Sequence, residues 1–349
     1  MQLKKHRWSV IILLSLFSFT GFRDKEKPEV LILTSGTNTS LRGLSVVNDN
    51  IIWASGSNGV VGKSTNAGKN WNWITVQGYE KTEFRDIEAF DANTAIIMAI
   101  AEPAYILKTT DGGSTWKMVY ENKAKGMFLD AMDFSTPLHG LVVGDPINNK
   151  PFIAETLDGG NTWKEKLFSG PHVKTDSGEA FFAASGSNIR LFENGEFFLV
   201  SGGNRSRFIT KTTATTLPFP KGIETAGANS IDIFDDGIPN KPGKNMIVVG
   251  GDFKNMDERK HTCFYSSNSG KSWQAASKPP NGYRSCVEYL SKTEILACGM
   301  NGVDYSDSKG KTWEPVSKEG FHVCRIARTG SAVYLAGEGG KIGKLVWKY

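Results

Sequence analysis

Thr109-Thr110-Asp111-Gly112-Gly113-Ser114-Thr115-Trp116 is the stretch that decides the fold. Its chemistry is that of a tight turn between two strands. An Asp side chain accepts hydrogen bonds from backbone amides just ahead of it, and Gly supplies the positive φ that the turn requires. The hydroxyl residues satisfy further turn amides, and the Trp offers a large apolar face to pack beneath. The pattern returns as Ser64-Thr65-Asn66-Ala67-Gly68-Lys69-Asn70-Trp71 and as Thr156-Leu157-Asp158-Gly159-Gly160-Asn161-Thr162-Trp163. Two later copies are Ser266-Ser267-Asn268-Ser269-Gly270-Lys271-Ser272-Trp273 and Ser306-Asp307-Ser308-Lys309-Gly310-Lys311-Thr312-Trp313. Asn66, Asp111, Asp158, Asn268 and Ser308 therefore read as structural turn residues. Ser308, which replaces the acid, predicts a looser turn.

The pattern, Ser/Thr-x-Asp-x-Gly-x-Thr-Trp, is similar to the Asp-box, or BNR repeat. Its spacing gives the unit. Trp71, Trp116 and Trp163 lie 45 and 47 residues apart, and Trp273 and Trp313 lie 40 apart. The 110-residue gap from Trp163 to Trp273 holds two units, one of which has lost its turn motif near Ile209–Thr213. A four-stranded propeller blade takes about 40–50 residues.

Each unit opens on a similar short strand. The openings are Leu41–Leu44, Phe84–Ile87, Phe128–Ala131, Glu179–Phe182, Asn229–Asp232, Tyr283–Cys286 and Phe321–Cys324. A second strand ends in Gly in most units, at Gly56, Gly144, Gly202, Gly250, Gly299 and Gly337. Seven openings predict an all-β, seven-bladed β-propeller of four-stranded blades. The last unit lacks a fourth strand, and Val30–Leu33 is placed to supply it and close the ring. The domain reading is an N-terminal signal peptide or anchor over 1–21, a linker over 22–29 and one propeller over 30–349.

The N-terminus carries Lys4, Lys5 and Arg7 ahead of the apolar stretch Ser9–Phe19. That pattern predicts export, to the periplasm or outside the cell, with the uncleaved segment as the one expected membrane contact. The chain carries a formal charge of +5, which falls to +2 without the first 21 residues. Nucleic acid is therefore not an expected partner. Cys263, Cys286, Cys298 and Cys324 show no CxxC spacing, and the five histidines are scattered, so no metal site is expected. Cys286 and Cys298 flank an expected turn at Ser291–Glu294 and are the candidate disulfide. No cofactor motif is present: no GxGxxG lies within a βαβ unit.

With its units aligned, the chain resembles the photosystem II stability/assembly factor-like propellers, some labelled oxidoreductase. The residues that carry the resemblance include Phe128–Ala131, Gly144-Asp145-Pro146, Gly178–Gly186, Gly250–Phe253, Gly282–Ser285, Gly320-Phe321-His322 and Gly337–Gly340. The resemblance implies a monomeric binding or assembly module with a protein or peptide partner.

The opening strands and the loops after the second strands place Arg42, Arg85, Asp130, Asp145, Glu179, Asp252, Tyr283, Arg284 and His322 toward a central funnel. Three arginines at equivalent positions suggest an anion-binding cup. The carboxylates leave a second reading open, an exported glycoside hydrolase acting on a carbohydrate. A small anionic ligand bound by the arginines is a third.

Overall fold

A computed structural model describes residues 27–34, 37–166, 170, 173–238 and 242–348. The expected leader lies outside the described residues, as do most of the linker and His172. Seven blades of four antiparallel strands form the ring, with the strands of a blade in sequence order except in blade seven, whose outer strand comes from Pro28–Thr34. Blade one comprises Leu41–Val46, Ile52–Gly56, Val60–Ser64 and Asn72–Thr75. The ring closes as the sequence predicts. Pro28–Thr34 pairs with Ile342–Trp347, with Val30 opposite Leu345 and Ile32 opposite Gly343. The first and last strands of the chain thus share blade seven, which removes two open edges.

The recurrent turns join third strands to fourth strands. Asp111 Oδ1 accepts from the Thr115 amide at 2.9 Å and Oδ2 from the Thr115 hydroxyl at 2.6 Å. The Thr109 hydroxyl takes the Gly113 amide at 3.0 Å. These donors hold the Asp111 carboxyl down at about 2, and the matching Thr162 contacts do the same for Asp158. The Ser308 copy keeps the backbone contact of the others. The Ser308 hydroxyl still accepts the Thr312 amide at 2.9 Å and meets the Thr312 hydroxyl at 2.7 Å. One oxygen suffices for the backbone contact that shapes the turn.

The core lies between blades. Ile96, Met98 and Ile106 of blade two pack on Leu129, Met132, Val142 and Trp163 of blade three. Blade interfaces of this kind repeat around the ring because each sheet is apolar on both faces.

The inner strands set up the site. In blades one, two, three and five the pairing slips by one residue at the same point, leaving Arg42, Arg85, Asp130 and Asn229 as the extra residues of β-bulges. A bulge re-aims a side chain. The second strand passes close to the bulged one: a Cβ at Gly250 would stand 1.9 Å from the Gly227 carbonyl oxygen, and one at Gly144 would stand 2.4 Å from that of Phe128. That contact explains the glycine ending most second strands.

Blade four departs. Glu179–Ala180 does begin its inner strand, pairing with Gly203 and Gly202, but the ladder resumes only at Ile189–Leu191. Between them, residues 181–188 leave the sheet and cross the centre of the ring. Ser185 Oγ donates to the Ser285 carbonyl at 2.7 Å, and Ser187 Oγ meets Ser230 Oγ at 2.7 Å. Arg325 Nη2 donates to the Ser185 carbonyl at 2.8 Å. Gly186 sits on the Asp86 carboxylate of blade two, where a Cβ would approach to 2.3 Å. This excursion is a plug. It separates the channel into an upper part, at the starts of the inner strands, and a lower part at their ends.

Candidate functional site

The upper cavity encloses about 330 Å³. Its wall combines Arg42, Arg85, Asp145, Asn229, Tyr283 and His322 with Phe128, Phe181, Phe182, Phe253 and Met300. The bulges supply the first two arginines and Asn229; the plug supplies its floor.

Arg42 makes no hydrogen bond or ion pair among the described residues. Burial first, then the nearby Arg85 charge, lowers its pKa from the ordinary value. Arg85 is held by Glu83 at 2.6 Å. His322 lies below both arginines, with Nε2 3.2 Å from the Ser40 hydroxyl and Nδ1 buried without a partner. Burial, then Arg42 and Arg85, push its pKa down to about 3, so the ring is neutral at physiological pH. Asp145 accepts the Phe181 amide at 2.8 Å, yet burial still raises its pKa to about 6. Tyr283 donates to Asn229 Oδ1 at 2.9 Å.

Four sequence-derived candidates lie elsewhere. Arg284 is buried and ion-paired with Asp304, and it also donates to Asn301 Oδ1 at 2.6 Å. The reason is a one-residue offset. The Arg284 amide donates to the Gly250 carbonyl just as the Leu41 and Phe321 amides donate to Gly337 and Gly299. Arg284 thus occupies the Leu41 position, and Ser285 takes the funnel position. A cup of three arginines is replaced by a pair. Glu179 is buried against Arg207 at 2.7 Å and against the Ser201 hydroxyl. Asp252 accepts the Thr225 hydroxyl at 2.7 Å and the Lys254 amide at 2.9 Å, outside the cavity wall. Asp130 is fully buried beneath the wall, and neither of its oxygens has a hydrogen-bond partner. Burial and then the Asp145 carboxylate push its pKa well above the carboxylate range.

The aromatic wall is what sequence reasoning missed. By sequence, Phe181 and Phe182 read as part of a blade opening. The run Ala180-Phe181-Phe182-Ala183-Ala184 alternates neither by two nor by helical period, and that absence of strand period was the available signal. The four cysteines are free thiols, so the expected Cys286–Cys298 bridge is absent although the two residues do face each other.

With this geometry in place, solved structures supply the comparison. YCF48, a photosystem II assembly factor, bound to D1 peptide superposes with a TM-score of 0.63 at 16% identity, covering 93% of this chain and 96% of that one. The chain has a YCF48-like fold. YCF48 from Cyanidioschyzon merolae gives a TM-score of 0.64 at 18% identity, covering 90% and 98%. The WD40 propeller of Doa1 gives 0.58 at 8% identity, covering 92% and 97%, so the architecture is shared more widely than the YCF48 likeness. No family model and no curated protein sequence matches the chain.

Proposed function

We propose that this chain is an exported protein-binding module that takes a peptide segment into the upper cavity, with an anionic group on Arg42 and an apolar side chain against Phe128, Phe182, Phe253 and Met300. The observation that carries the reading is the half-buried Arg42 guanidinium without a partner at the wall of an aromatic pocket. A buried cation gains most from a ligand that supplies the missing charge-assisted bonds. The peptide-bound YCF48 structure is a precedent in fold for such use. The recurrent turns serve as Asp-box scaffold, away from the ligand.

Glycoside hydrolysis calls for two carboxylates about 5–9.5 Å apart. Among the residues of this cavity wall, Asp145 is the one carboxylate. Peptide binding is therefore the better supported use.

The test is a library of acidic–aromatic peptides screened by fluorescence anisotropy against the native chain and Arg42→Ala. Selected peptides should lose roughly 10- to 100-fold in affinity on the variant, the worth of a charge-assisted contact. Equal binding to both proteins would reject the cavity as the peptide site.

A further inference from the structure

Three cysteines that sequence spacing keeps apart are brought together at the interface of blades six and seven. Cys286 on the inner strand Cys286–Tyr289 lies directly opposite Cys298 on Ile295–Gly299. Cys324 comes from the inner strand Val323–Ile326 of the next blade. The three Sγ atoms lie within 4.8 Å of one another, and all three residues are fully buried.

We propose that Cys286, Cys298 and Cys324 bind one thiophilic d10 ion, zinc(II) or copper(I), through three thiolates. Soft thiolate ligands select these ions. A metal–sulfur bond of about 2.3 Å places the sulfurs of a trigonal set about 4.0 Å apart, inside the observed limit. The surroundings of Cys286 fit the charged form. Arg325 Nη1 lies 3.0 Å from Cys286 Sγ, and the plug residue Ser187 directs its hydroxyl to the same sulfur at 3.6 Å. Three thiolates carry one net negative charge with a divalent ion and two with a monovalent ion; the Arg325 cation faces that charge, its Nη1 also lying 3.9 Å from Glu288 Oε2. Binding releases the three thiol protons. The fourth cysteine stands outside: Cys263 Sγ lies 3.9 Å from the Gly310 carbonyl and takes no part in the group. Because Arg325 also holds the Ser185 carbonyl, the ion would brace the plug from behind.

The experiment titrates the fully reduced full-length chain, under anaerobic conditions, with zinc(II) and separately with copper(I) against chromophoric chelators. Uptake of one equivalent of either ion is expected. Cys298→Ser and Cys324→Ser should each weaken uptake by roughly tenfold or more, while Cys263→Ser binds as the native chain does. Failure of the native chain to take up either ion overturns the proposal, as does an equal loss in Cys263→Ser. Should the serine variants fail to fold by near-ultraviolet circular dichroism, X-ray absorption on the loaded native chain decides. Three sulfur neighbours support the site, and a shell of nitrogen and oxygen alone overturns it.

Discussion

The two ends of the central channel, divided by the plug at residues 181–188, use arginine in opposite ways. At the lower end, equivalent inner-strand positions bring in Ser45, Glu88, Asp133, Asp232, Glu288 and Arg325. Every arginine there is occupied. Arg190 meets Asp232 at 3.0 Å and Glu288 at 3.5 Å, and Arg328 meets Glu88 at 3.0 Å and Ser45 at 2.8 Å. The carboxylates are spent on backbone as well: Asp232 takes the Tyr289 amide at 2.6 Å and Asp133 the Leu191 amide at 2.5 Å. At the upper end the wall is mostly apolar, and Arg42 stands without a partner among the described residues. A cluster of charges satisfied within the protein is architecture. One cation left unsatisfied beside aromatic rings is a place for a ligand.

The contrast predicts that removing a paired arginine damages the fold, whereas removing the unpaired one damages binding. The largest effect belongs to Arg284→Ala, which strands the buried Asp304 carboxylate and should cost about 3–5 kcal/mol in urea unfolding. A loss below about 1 kcal/mol would show that buried pairing is not what holds blade six. Next is Gly186→Ala. Its φ of +65° and its contact with Asp86 leave no room for a methyl group, so the plug must shift, at about 1–3 kcal/mol. Unchanged stability, together with an unchanged upper cavity, would dismiss the plug as its floor.

Arg42→Ala should leave stability within about 0.5 kcal/mol of native while weakening a selected acidic peptide roughly 10- to 100-fold. A stability loss like that of Arg284→Ala would erase the distinction between paired and unpaired arginines.

The pH dependence sharpens the same point. Asp145 is anionic above about 6 and neutral below it. Lowering the pH through 6 therefore removes a negative charge from the wall and should tighten an anionic peptide a few-fold, the scale of a partly screened charge pair. His322, held neutral down to about 3, adds nothing in that window. Asp145→Asn should bind tightly throughout and flatten the profile; a variant that keeps the native profile would assign it to another group. The smallest effect is expected far from the channel. Ser308→Asp restores the acid to a turn already bonded to Thr312 and should add about 0.5 kcal/mol by thermal melting.

The sequence by itself determined the blade count and the ring closure. Turn chemistry is local: Asp111, Gly113 and Trp116 need only their neighbours to act, so five copies set the length of the unit, and seven similar strand openings set the count. The closing strand followed because an unpaired last unit needs a partner. The position facing the funnel was also legible in blades one and two, where Arg42 and Arg85 line the cavity. It failed for Arg284, because an offset of one residue moves a side chain from one face of a strand to the other. It failed for Glu179 for the same reason: Glu179 pairs with Gly203 as Leu41 pairs with Gly56, so Ala180 takes the funnel position. Only the tertiary structure decided which charges are spent on partners distant in sequence, such as Arg190 with Glu288 and Arg284 with Asp304. Only it brought Cys324 beside Cys286 and Cys298. Arg190 with Glu288 and Cys324 with Cys286 join separate blades, and no local pattern encodes the distance between residues that meet only when the ring closes.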